Sequence, residues 1–452
     1  MQLKYHMVTI EDLVPEDHFL RKLDAALDLS FVYEETAHLY SRKYGRPPID
    51  PVVMVKYLLV GFLYGIPSER QIEARCADSN AFRWYLGIDL DERVPDHSTI
   101  SQLRRRKPSF RKVFRRLFER VARQCIDMGF ARGRLVATDS THVKASASPA
   151  SIYLADTPES PGAYWERLNA YEEQAREYLA KKTGKPKKKW VKAPKCKPKH
   201  PQRRVSWSDP DAGWLNRANK PHGMHYLSHQ TLDTDHGIIL DVAVTAGDAS
   251  DKTPYLDQME RVMELLPVQS AAADSAYDFG LAHQVLGEHS VSLFVRSMES
   301  DPHRSVEFGR EQFEYDRSKD SFRCPGGKEL ALTGVRRSGK SSLHWVYSAR
   351  KSDCQSCAMK ERCLSVSLKG KARRLTRSVF EDAAQKNLSR VDLPEYQQAL
   401  RKRQIWCEGT FAIQKWSHNL TRVLRRGLEA AEDHCLLSAA ALNLKRMIKC
   451  MG

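Results

Sequence analysis

The stretch Leu135-Val136-Ala137-Thr138-Asp139-Ser140-Thr141 decides the fold, because an apolar run here ends in an acidic residue. A second stretch, Ala271-Ala272-Ala273-Asp274-Ser275, repeats this arrangement. Aspartate is disfavoured inside strands. Two aspartates that each close a strand-like run therefore predict a sheet with acidic side chains at the carboxyl ends of its strands, where ligand sites gather.

The residues between and after these stretches complete a mixed α+β pattern. Further strands are predicted at 226–232, 237–246 and 267–274, with a hairpin turn at Thr234-Asp235-His236-Gly237. Asp251 is a candidate cap for a helix from Pro254 to about Leu266. Strands that alternate with helices in this way predict a mixed sheet covered by helices.

Residues 1–128 are predicted to be helical, because their apolar residues recur at spacings near 3.6. One predicted helix ends in four consecutive basic residues, Arg104, Arg105, Arg106 and Lys107. We interpret 1–128 as a helical DNA-binding domain of helix-turn-helix character, with these four residues contacting DNA. A second unit is predicted over 134–452.

Two segments are predicted to interrupt the second unit. The first, 155–212, contains a candidate helix from Tyr164 to Lys182 and then a block rich in Lys and Pro, which cannot bury a core. Its basic residues Lys187, Lys188 and Lys189 are candidate DNA contacts, and a solvated loop without a ligand is the alternative. The second, 300–380, has hairpin-like patterns and four cysteines.

The large positive charge of the chain predicts a polyanionic partner. Over 452 residues the formal net charge is +17, with 41% hydrophobic residues to build a core. Nucleic acid is the first candidate, an anionic membrane surface the second, and a basic surface without a ligand the third. The most apolar run, Pro51–Ile66, contains Lys56 and is shorter than the roughly 20 residues that span a bilayer, so it predicts a buried helix. With no signal peptide evident, we expect a cytoplasmic, nucleoid-associated protein without a membrane partner.

A third acid, Glu408, lies within a long predicted helix that begins at Pro394 and ends near Ser417. Helical spacing places Arg401, Glu408 and Lys415 on one stripe. If Asp139, Asp274 and Glu408 converge, their repulsion must be balanced by cations, and Mg²⁺ or Mn²⁺ prefers such oxygen ligands. Two such ions about 4 Å apart support phosphodiester chemistry, with Arg401 and Lys415 on the DNA phosphates. The alternative for each acid is a turn cap or a solvated side chain, and for the neighbouring His142 a structural role is favoured.

Four cysteines form the one cluster in the sequence. Cys324 begins a turn, and Cys354, Cys357 and Cys363 follow with spacings typical of metal ligands. Four thiolates from two turns predict a structural tetrahedral Zn²⁺ site, whereas free thiols or redox-active thiols are the alternatives. Because 300–380 is rich in charge, we expect this insert to lack a core of its own and to fold around the metal.

Several segments resemble the DDE transposases of bacterial insertion sequences, in the branch with an InsH-like N-terminal domain. The segments carrying this resemblance occur in the family order along most of the chain, and they are Gly45–Pro51, Gly61–Ile66, Pro95–Thr99, Asp139–Ala145, His225–Asp251, Ala273–Asp278 and the helix around Glu408 with Phe411 and Lys415. Three positions depart from the family pattern. Cys407 replaces a common valine, Gln404 stands where a relative of the family has arginine, and Ser275 follows the second aspartate. Arg401 or Arg403 is then the candidate to supply the missing arginine.

The resemblance implies a ribonuclease H-like catalytic domain whose first strand carries Asp139, whose fourth carries Asp274 and whose later helix carries Glu408. It also implies metal-dependent cleavage and strand transfer on double-stranded DNA, namely the terminal inverted repeats of an element and a target, by a dimer in the synaptic complex. Two alternatives stay open. One is an inactive or domesticated relative that only binds DNA, and the other is a metal-dependent nuclease without joining activity.

Overall fold

The computed structural model of the chain describes residues 7–40, 49–106, 110–156, 164–184, 202–296, 308–338, 342–364 and 371–452. The chain is a mixture of helices and sheets. The first part of the described chain is helical, as the sequence predicts. Its helices are α1 (Phe19–Ala26), α2 (Phe31–Thr36), α3 (Pro51–Leu63), α4 (Glu69–Asp78), α5 (Asn80–Leu86), α6 (His97–Arg106) and α7 (Arg111–Asp127).

Helix α3 is the apolar run that the sequence assigns to a buried helix, and ten of its residues are buried. It begins at Pro51, which suits the first turn because this position needs no amide hydrogen. The side chain of Asp50 accepts a hydrogen bond from the Val52 amide at 2.7 Å and caps the helix. None of the described helices is long and apolar enough to cross a membrane.

A six-stranded sheet forms the centre of the molecule. Its strands are β1 (Val136–Lys144), β4 (Gly213–Leu215), β5 (Gly223–Asp233), β6 (Ile239–Ala246), β7 (Ser270–Ala272) and β8 (Ser292–Phe294). The order is β4-β5-β1-β7-β8, and β6 also pairs with β5. β5 runs antiparallel to β1, β4 and β6, whereas β1, β7 and β8 are parallel to one another. The predicted hairpin and the predicted strand at 267–274 are thus present, the latter shortened to 270–272.

A two-stranded ladder of β2 (Ile152–Asp156) and β3 (Gln202–Ser206) closes the base of the first insert. Between these strands, α8 (Tyr164–Thr183) matches the candidate helix closely. Helix α9 (Tyr255–Leu265), close to the helix expected from Pro254, and α10 (Gly280–Glu288) cover the central sheet. Lys187, Lys188 and Lys189 lie outside the described residues.

The second insert is a five-stranded antiparallel sheet with the order β13-β12-β11-β10-β9. Its elements are β9 (Glu314–Asp316), β10 (Ser321–Arg323), β11 (Glu329–Ser338), β12 (Ser342–Ala349), α11 (Lys351–Gln355), α12 (Lys360–Cys363) and β13 (Arg374–Ser378). The expectation that this segment has no core is wrong. Seven buried apolar residues, spaced along four strands and a preceding turn, form a small core: Phe313, Phe322, Leu330, Leu332, Tyr347, Ala349 and Leu375.

The chain ends in three helices, α13 (Glu381–Leu388), α14 (Pro394–Ser417) and α15 (Leu428–Met451). Helix α15 is buried along most of its length, and it packs against α3, α7 and β6. Leu437 and Ala441 of α15 share a buried cluster with the N-terminal helices, whereas Cys435 and Leu442 belong to the cluster that includes Phe411 of α14. The division into domains at 128 and 134 stays a prediction.

Candidate active site

The register of the three parallel strands brings three charged residues to one level of the sheet. Ala137 of β1 pairs with Ala272 of β7, and Ala272 pairs with Phe294 of β8. Asp139, Asp274 and Arg296 each follow two residues after these paired positions. Because the three strands are parallel and in register, Asp139 within β1, Asp274 after β7 and Arg296 after β8 come to lie side by side. Sequence reasoning missed Arg296, although its place after an apolar strand-like run was a usable signal.

Asp139 lies within β1 and does not end it. The strand continues to Lys144 because the long partner β5 supplies a ladder from Val136 opposite Asp233 to Lys144 opposite His225. The expectation that Asp139 closes its strand is therefore wrong. The acid instead sits where the short parallel partner β7 has already ended, so one edge of β1 is open beside it.

The carboxylate of Asp139 is mostly buried and has two partners. Arg403 donates to its Oδ2 at 2.7 Å, and the Ser140 amide donates to its Oδ1 at 2.7 Å. Burial raises the pKa of Asp139 to about 6, against the lowering effect of Arg403, and the charge of Asp274 raises it further. In this arrangement the Arg403 guanidinium supplies the positive charge that the acid needs.

Asp274 and Glu408 line one cavity of about 210 Å³. Asp274 follows β7, and its Oδ1 accepts a hydrogen bond from the Ala276 amide at 2.8 Å, which fixes the carboxylate at the start of a short helical turn. Other residues around the cavity are mostly polar or basic: Ala273, Ser275, Arg296, Leu400, Arg403 and Gln404. Gln404, which departs from the family pattern, thus faces the site, and Arg403 connects the cavity to Asp139.

Helix α14 presents Glu408 next to a buried face. Cys407 and Phe411 are buried on the sheet, whereas Glu408 is exposed on the neighbouring stripe. Burial raises the pKa of the Cys407 thiol, and the charges of Asp139, Glu408 and Asp274 raise it further. The charges of all three acids therefore act on the buried Cys407 thiol. The structure brings the three sequence-predicted carboxylates to one edge of the sheet.

Their oxygen atoms are not drawn into a tight cluster in this arrangement. Among the residues that the structure describes, one set of three ligand atoms lies mutually within 4.8 Å, that of Glu73, Asp96 and His97. Their contacts explain that set, because Asp96 caps α6 through the Ser98 amide at 2.7 Å and Glu73 bonds to the His97 ring at 2.6 Å. The set lies on and beside α4 and α6, and none of its members lines the cavity that Asp274 and Glu408 share.

A fourth acid, Asp251, adjoins Asp139 through Ser140. The Ser140 hydroxyl donates to Asp251 at 2.8 Å, and Arg217 forms an ion pair with the same carboxylate at 2.7 Å. Asp251 ends the segment His225–Asp251 that resembles the family, but its place beside β1 follows only from packing. The buried His229 lies 3.9 Å from Asp251, and burial lowers the pKa of this histidine to about 4.

The basic residues predicted to contact DNA differ in their surroundings. Arg104 is buried, paired with Glu69 at 2.6 Å and stacked over Phe114, so we exclude it from the DNA-contact surface. Arg105 and Arg106 are exposed on α6, whereas Lys107 lies outside the described residues. On α14, Arg401 is exposed.

Lys415 is half-buried on α14, in a group of positive and potentially positive side chains. Burial lowers the pKa of Lys415, and the charge of Lys220 lowers it further. Burial lowers the pKa of His142 to about 4, and the nearby charge of Lys415 contributes to this lowering. His142 also packs edge-on against His225, with ring centroids 5.6 Å apart. A histidine that stays neutral at physiological pH fits the structural role favoured for His142.

The four clustered cysteines come together at one end of the five-stranded sheet. Cys324, Cys354, Cys357 and Cys363 line a cavity of about 30 Å³, and all four are free thiols. Burial raises the pKa of Cys363, and the other three cysteines raise it further. The structure thus assembles the predicted set, and no three of these sulfur atoms lie mutually within 4.8 Å.

Two family models match the chain. Residues 8–106 match the family described as Transposase domain (DUF772), and residues 323–448 match the family described as Transposase DDE domain. The first match contains α1–α6, and the second contains Glu408 and all four clustered cysteines. No curated protein matches the chain at a significant level.

Among solved structures, the chain is similar to a piggyBac transposase in a synaptic complex with hairpin DNA, determined by cryo-EM. The identity is 9%, the alignment covers 96% of this chain and 76% of that chain, and the TM-score is 0.38.

Proposed function

Because the chain belongs to the DDE transposases of insertion sequences, we propose that it cuts DNA at the ends of a mobile element and joins those ends to a target. The observation that carries this proposal is the placement of Asp139, Asp274 and Glu408 at one edge of one sheet, next to a cavity that also holds arginines. We propose these three acids as the catalytic carboxylates.

The strand order supports a ribonuclease H-like catalytic core. In such an arrangement an antiparallel group of three strands is followed by two parallel strands, and here β6, β5 and β1 are followed by β7 and β8. Asp139 then lies on the first strand and Asp274 after the fourth, if β4 and the inserts are set aside. Helix α14 adds Glu408 from a helix that crosses β1, β7 and β8.

The donor set fits Mg²⁺ or Mn²⁺. Asp139, Asp274 and Glu408 offer hard oxygen ligands, and the cavity of about 210 Å³ has room for ions with water. The buried Asp139 already requires a cation, which Arg403 provides here. When bound, two such ions activate the attacking oxygen and stabilise the leaving oxygen of a phosphodiester.

The positive side chains around the acids have a different role in this proposal. Arg296 and Arg403 line the cavity, and Lys415 lies two turns after Glu408 on α14. We assign Arg296 and Lys415 to the phosphates that flank the scissile bond, where they orient the strand and lower its charge. Arg403 replaces the arginine expected at position 404, since it is the one that contacts an active-site acid.

Two successive reactions follow from this chemistry. Water attacks the phosphorus at the element end, the bond to the 3′-oxygen breaks, and a 3′-OH is released. That hydroxyl then attacks a target phosphodiester, which exchanges one phosphate ester for another and needs no ATP. Because two element ends take part, we propose a dimer on double-stranded DNA, with Arg105 and Arg106 of α6 on the terminal repeats.

The test is an incubation of the purified chain with an element-end duplex, a target plasmid and Mn²⁺. We expect cleavage and joined products, and Asp139→Asn should lose both by more than about a hundredfold, because it removes a metal ligand. DNA binding should stay within about twofold, since the basic surface is unchanged. Glu264→Gln is the matched control, because this exposed acid in the last turn of α9 does not line the cavity.

The same incubation separates the two alternatives. Binding without cleavage by the unaltered chain identifies a DNA-binding relative, and cleavage without joining identifies a nuclease. Cleavage that survives in Asp139→Asn, Asp274→Asn and Glu408→Gln would contradict the assignment of the site while leaving the family unaffected.

A further inference from the structure

The cysteine cluster is not used by the proposed reaction and lies in a part of the fold of its own. Cys324 follows β10, Cys354 lies in α11, Cys357 follows that helix, and Cys363 ends α12. All four line one cavity, although they come from two chain segments about thirty residues apart. A chance distribution of cysteines over this insert would not place all four around one small space.

The backbone around Cys324 is shaped toward its sulfur atom. The turn Cys324–Lys328 is closed by hydrogen bonds from the Gly327 amide to the Cys324 carbonyl at 2.8 Å and from the Cys324 amide to the Lys328 carbonyl at 2.9 Å. Gly327 has φ +73°, a conformation that glycine adopts without strain. The turn then directs the Lys328 amide at the Cys324 Sγ, 3.3 Å away.

A second amide points at a second sulfur. The Arg373 amide donates to the Cys354 Sγ at 3.4 Å. Two sulfurs of the cluster thus each accept a hydrogen bond from a backbone amide, and the thiolate is the form of cysteine that binds metal.

The remaining space is small, and four of the eight other residues that line it are apolar. A Cβ added to Gly326 would lie 3.6 Å from the Cys324 Sγ and 3.7 Å from the Cys357 Sγ, so these two sulfurs flank the bare Cα of the turn. Phe313, Leu330 and Leu364 help to enclose the cavity of about 30 Å³. That volume suits one ion or one water molecule and excludes an organic ligand.

We propose that Cys324, Cys354, Cys357 and Cys363 bind one structural Zn²⁺ ion in tetrahedral geometry. Four thiolates without an open position are typical of structural zinc, and the separation of Cys354 and Cys357 by two residues is a common ligand spacing. The sulfurs surround the space without closing on it, because no three lie mutually within 4.8 Å. Zinc binding therefore requires a local approach of α11 and α12 to the Cys324 turn.

The ion would stabilise the long connection between β12 and β13, whereas the sheet does not depend on it for folding. Residues 350–373 link β12 to β13, and α11 and α12 contribute no fully buried residue of their own. The sheet itself is held by its small core and by α8, through the ion pair of Lys182 with Asp320 at 2.9 Å and the packing of Tyr178 on Trp345. Loss of zinc should therefore release 350–373 and leave the sheet folded.

The test uses the full chain, purified without added chelator. Elemental analysis should find about one zinc per chain, and a thiol reagent should modify four more cysteines after a strong chelator is added than before. Replacement of the metal by Co²⁺ should give the absorption spectrum of a tetrahedral thiolate site. These measurements need no variant, so they do not depend on whether a substituted protein folds.

A pair of variants locates the site. Cys357→Ser should lose the zinc and become sensitive to protease within 350–373, whereas Cys450→Ser, a half-buried cysteine of α15, should keep both properties of the unaltered chain. A metal-free preparation with 350–373 protected would overturn the proposal. So would disulfides among the four cysteines, or iron in place of zinc. Each result is independent of DNA cleavage.

Discussion

Asp139 has two roles, because its buried carboxylate forms an ion pair in the folded protein and is also a proposed metal ligand. Burial of this carboxylate, together with the charge of Asp274, raises its pKa to about 6. The Arg403 guanidinium, 2.7 Å from the Asp139 Oδ2, acts against this rise. A divalent cation would compete with Arg403 for the same carboxylate. Arg403 is thus suited to hold the acid in place until metal and DNA are present.

Replacing Arg403 tests this competition. Arg403→Gln should bind Mn²⁺ about fivefold more tightly in the absence of DNA, since an ion pair at a partly exposed site contributes on the order of 1 kcal/mol. Isothermal titration calorimetry measures the change. Arg401→Gln is the matched control, because Arg401 is exposed two residues away on the same helix. Unchanged or weaker Mn²⁺ binding in Arg403→Gln would show that the guanidinium does not compete with metal.

At the scale of elements, the position of Glu408 depends on how α14 meets the hairpin between β5 and β6. Gly237 in that turn has φ +73°, and a Cβ added there would lie 2.5 Å from the Trp406 ring. The Arg446 side chain, which lies over the same Trp406 ring, donates to the Gly237 carbonyl. A small turn residue therefore sets the distance between the sheet and the helix that carries the third acid.

Two glycine substitutions separate this contact from helix propensity. Gly237→Ala should lower the free energy of unfolding by about 2 kcal/mol, because it combines a strained φ with a clash against Trp406. Gly409→Ala, within α14, has no atom within 4 Å of the new Cβ and should raise that free energy by roughly 0.5–1 kcal/mol. Denaturant unfolding measures both. Equal effects of the two variants would mean that the turn does not position α14.

The first insert is an element whose charge can be changed without disturbing its base. The ladder of β2 and β3 extends from Gln202 to Ser206, so substitutions before Gln202 leave the paired residues unchanged. Changing Lys187, Lys188 and Lys189 to glutamine keeps the chain length. If each lysine contacts a phosphate, the slope of log affinity against log salt should become shallower by up to about 2.7.

Fluorescence anisotropy on one duplex at several salt concentrations measures that slope. Changing Arg105 and Arg106 on the exposed face of α6 gives a comparison set, with up to roughly 1.8 expected. A slope unaltered by the lysine changes, together with a shallower slope for the α6 pair, would assign DNA binding to the N-terminal helices and not to the insert.

At the scale of the whole molecule, the chain segment after α14 connects this helix to the N-terminal helices. The His418 ring donates to the Phe62 carbonyl at 2.7 Å, and the Asn419 side chain donates to the Ile66 carbonyl at 2.8 Å. The His434 ring of α15 contacts the Asn419 carbonyl at 2.7 Å. The end of the helix that carries Glu408 is therefore fixed by the end of α3.

These contacts predict that the protein loses stability in mild acid. Burial lowers the pKa of four histidines to about 4: His142, His229, His418 and His434. Their pKa in an unfolded chain is near 6.5, so the unfolded state takes up more protons as pH falls from 6.5 to 4, and the free energy of unfolding decreases. Asp139 acts in the opposite direction, because its raised pKa favours the folded state as it protonates.

Unfolding experiments between pH 7 and pH 4 measure this dependence. His142→Gln should reduce the slope against pH by about 1.4 kcal/mol per pH unit, the contribution of one proton. Asp139→Asn should steepen the slope below about pH 6, since it removes a group of opposite sign. A slope that is the same in His142→Gln and the unaltered chain would show that this histidine is protonated in the folded protein.

The sequence by itself determined the order and type of the main elements, and together with the family resemblance it led to the three acids that we propose as catalytic. Apolar periodicity and capping residues act over a few neighbours, so α3, α8 and α14 could be predicted almost to their ends. The aspartates after strand-like runs could be recognised for the same reason. Family resemblance then added Glu408, which no local pattern would have distinguished from a solvated side chain.

Only the tertiary structure decided which of several similar side chains face the site. Arg403 and not Arg401 or Gln404 contacts Asp139, because the packing of Cys407 and Phe411 fixes the rotation of α14. Arg104 is turned to Glu69 by helix packing, and Arg296 reaches the level of the acids through the register of β8. Such contacts join residues far apart in the chain, and a local sequence pattern carries no information about the distance between them.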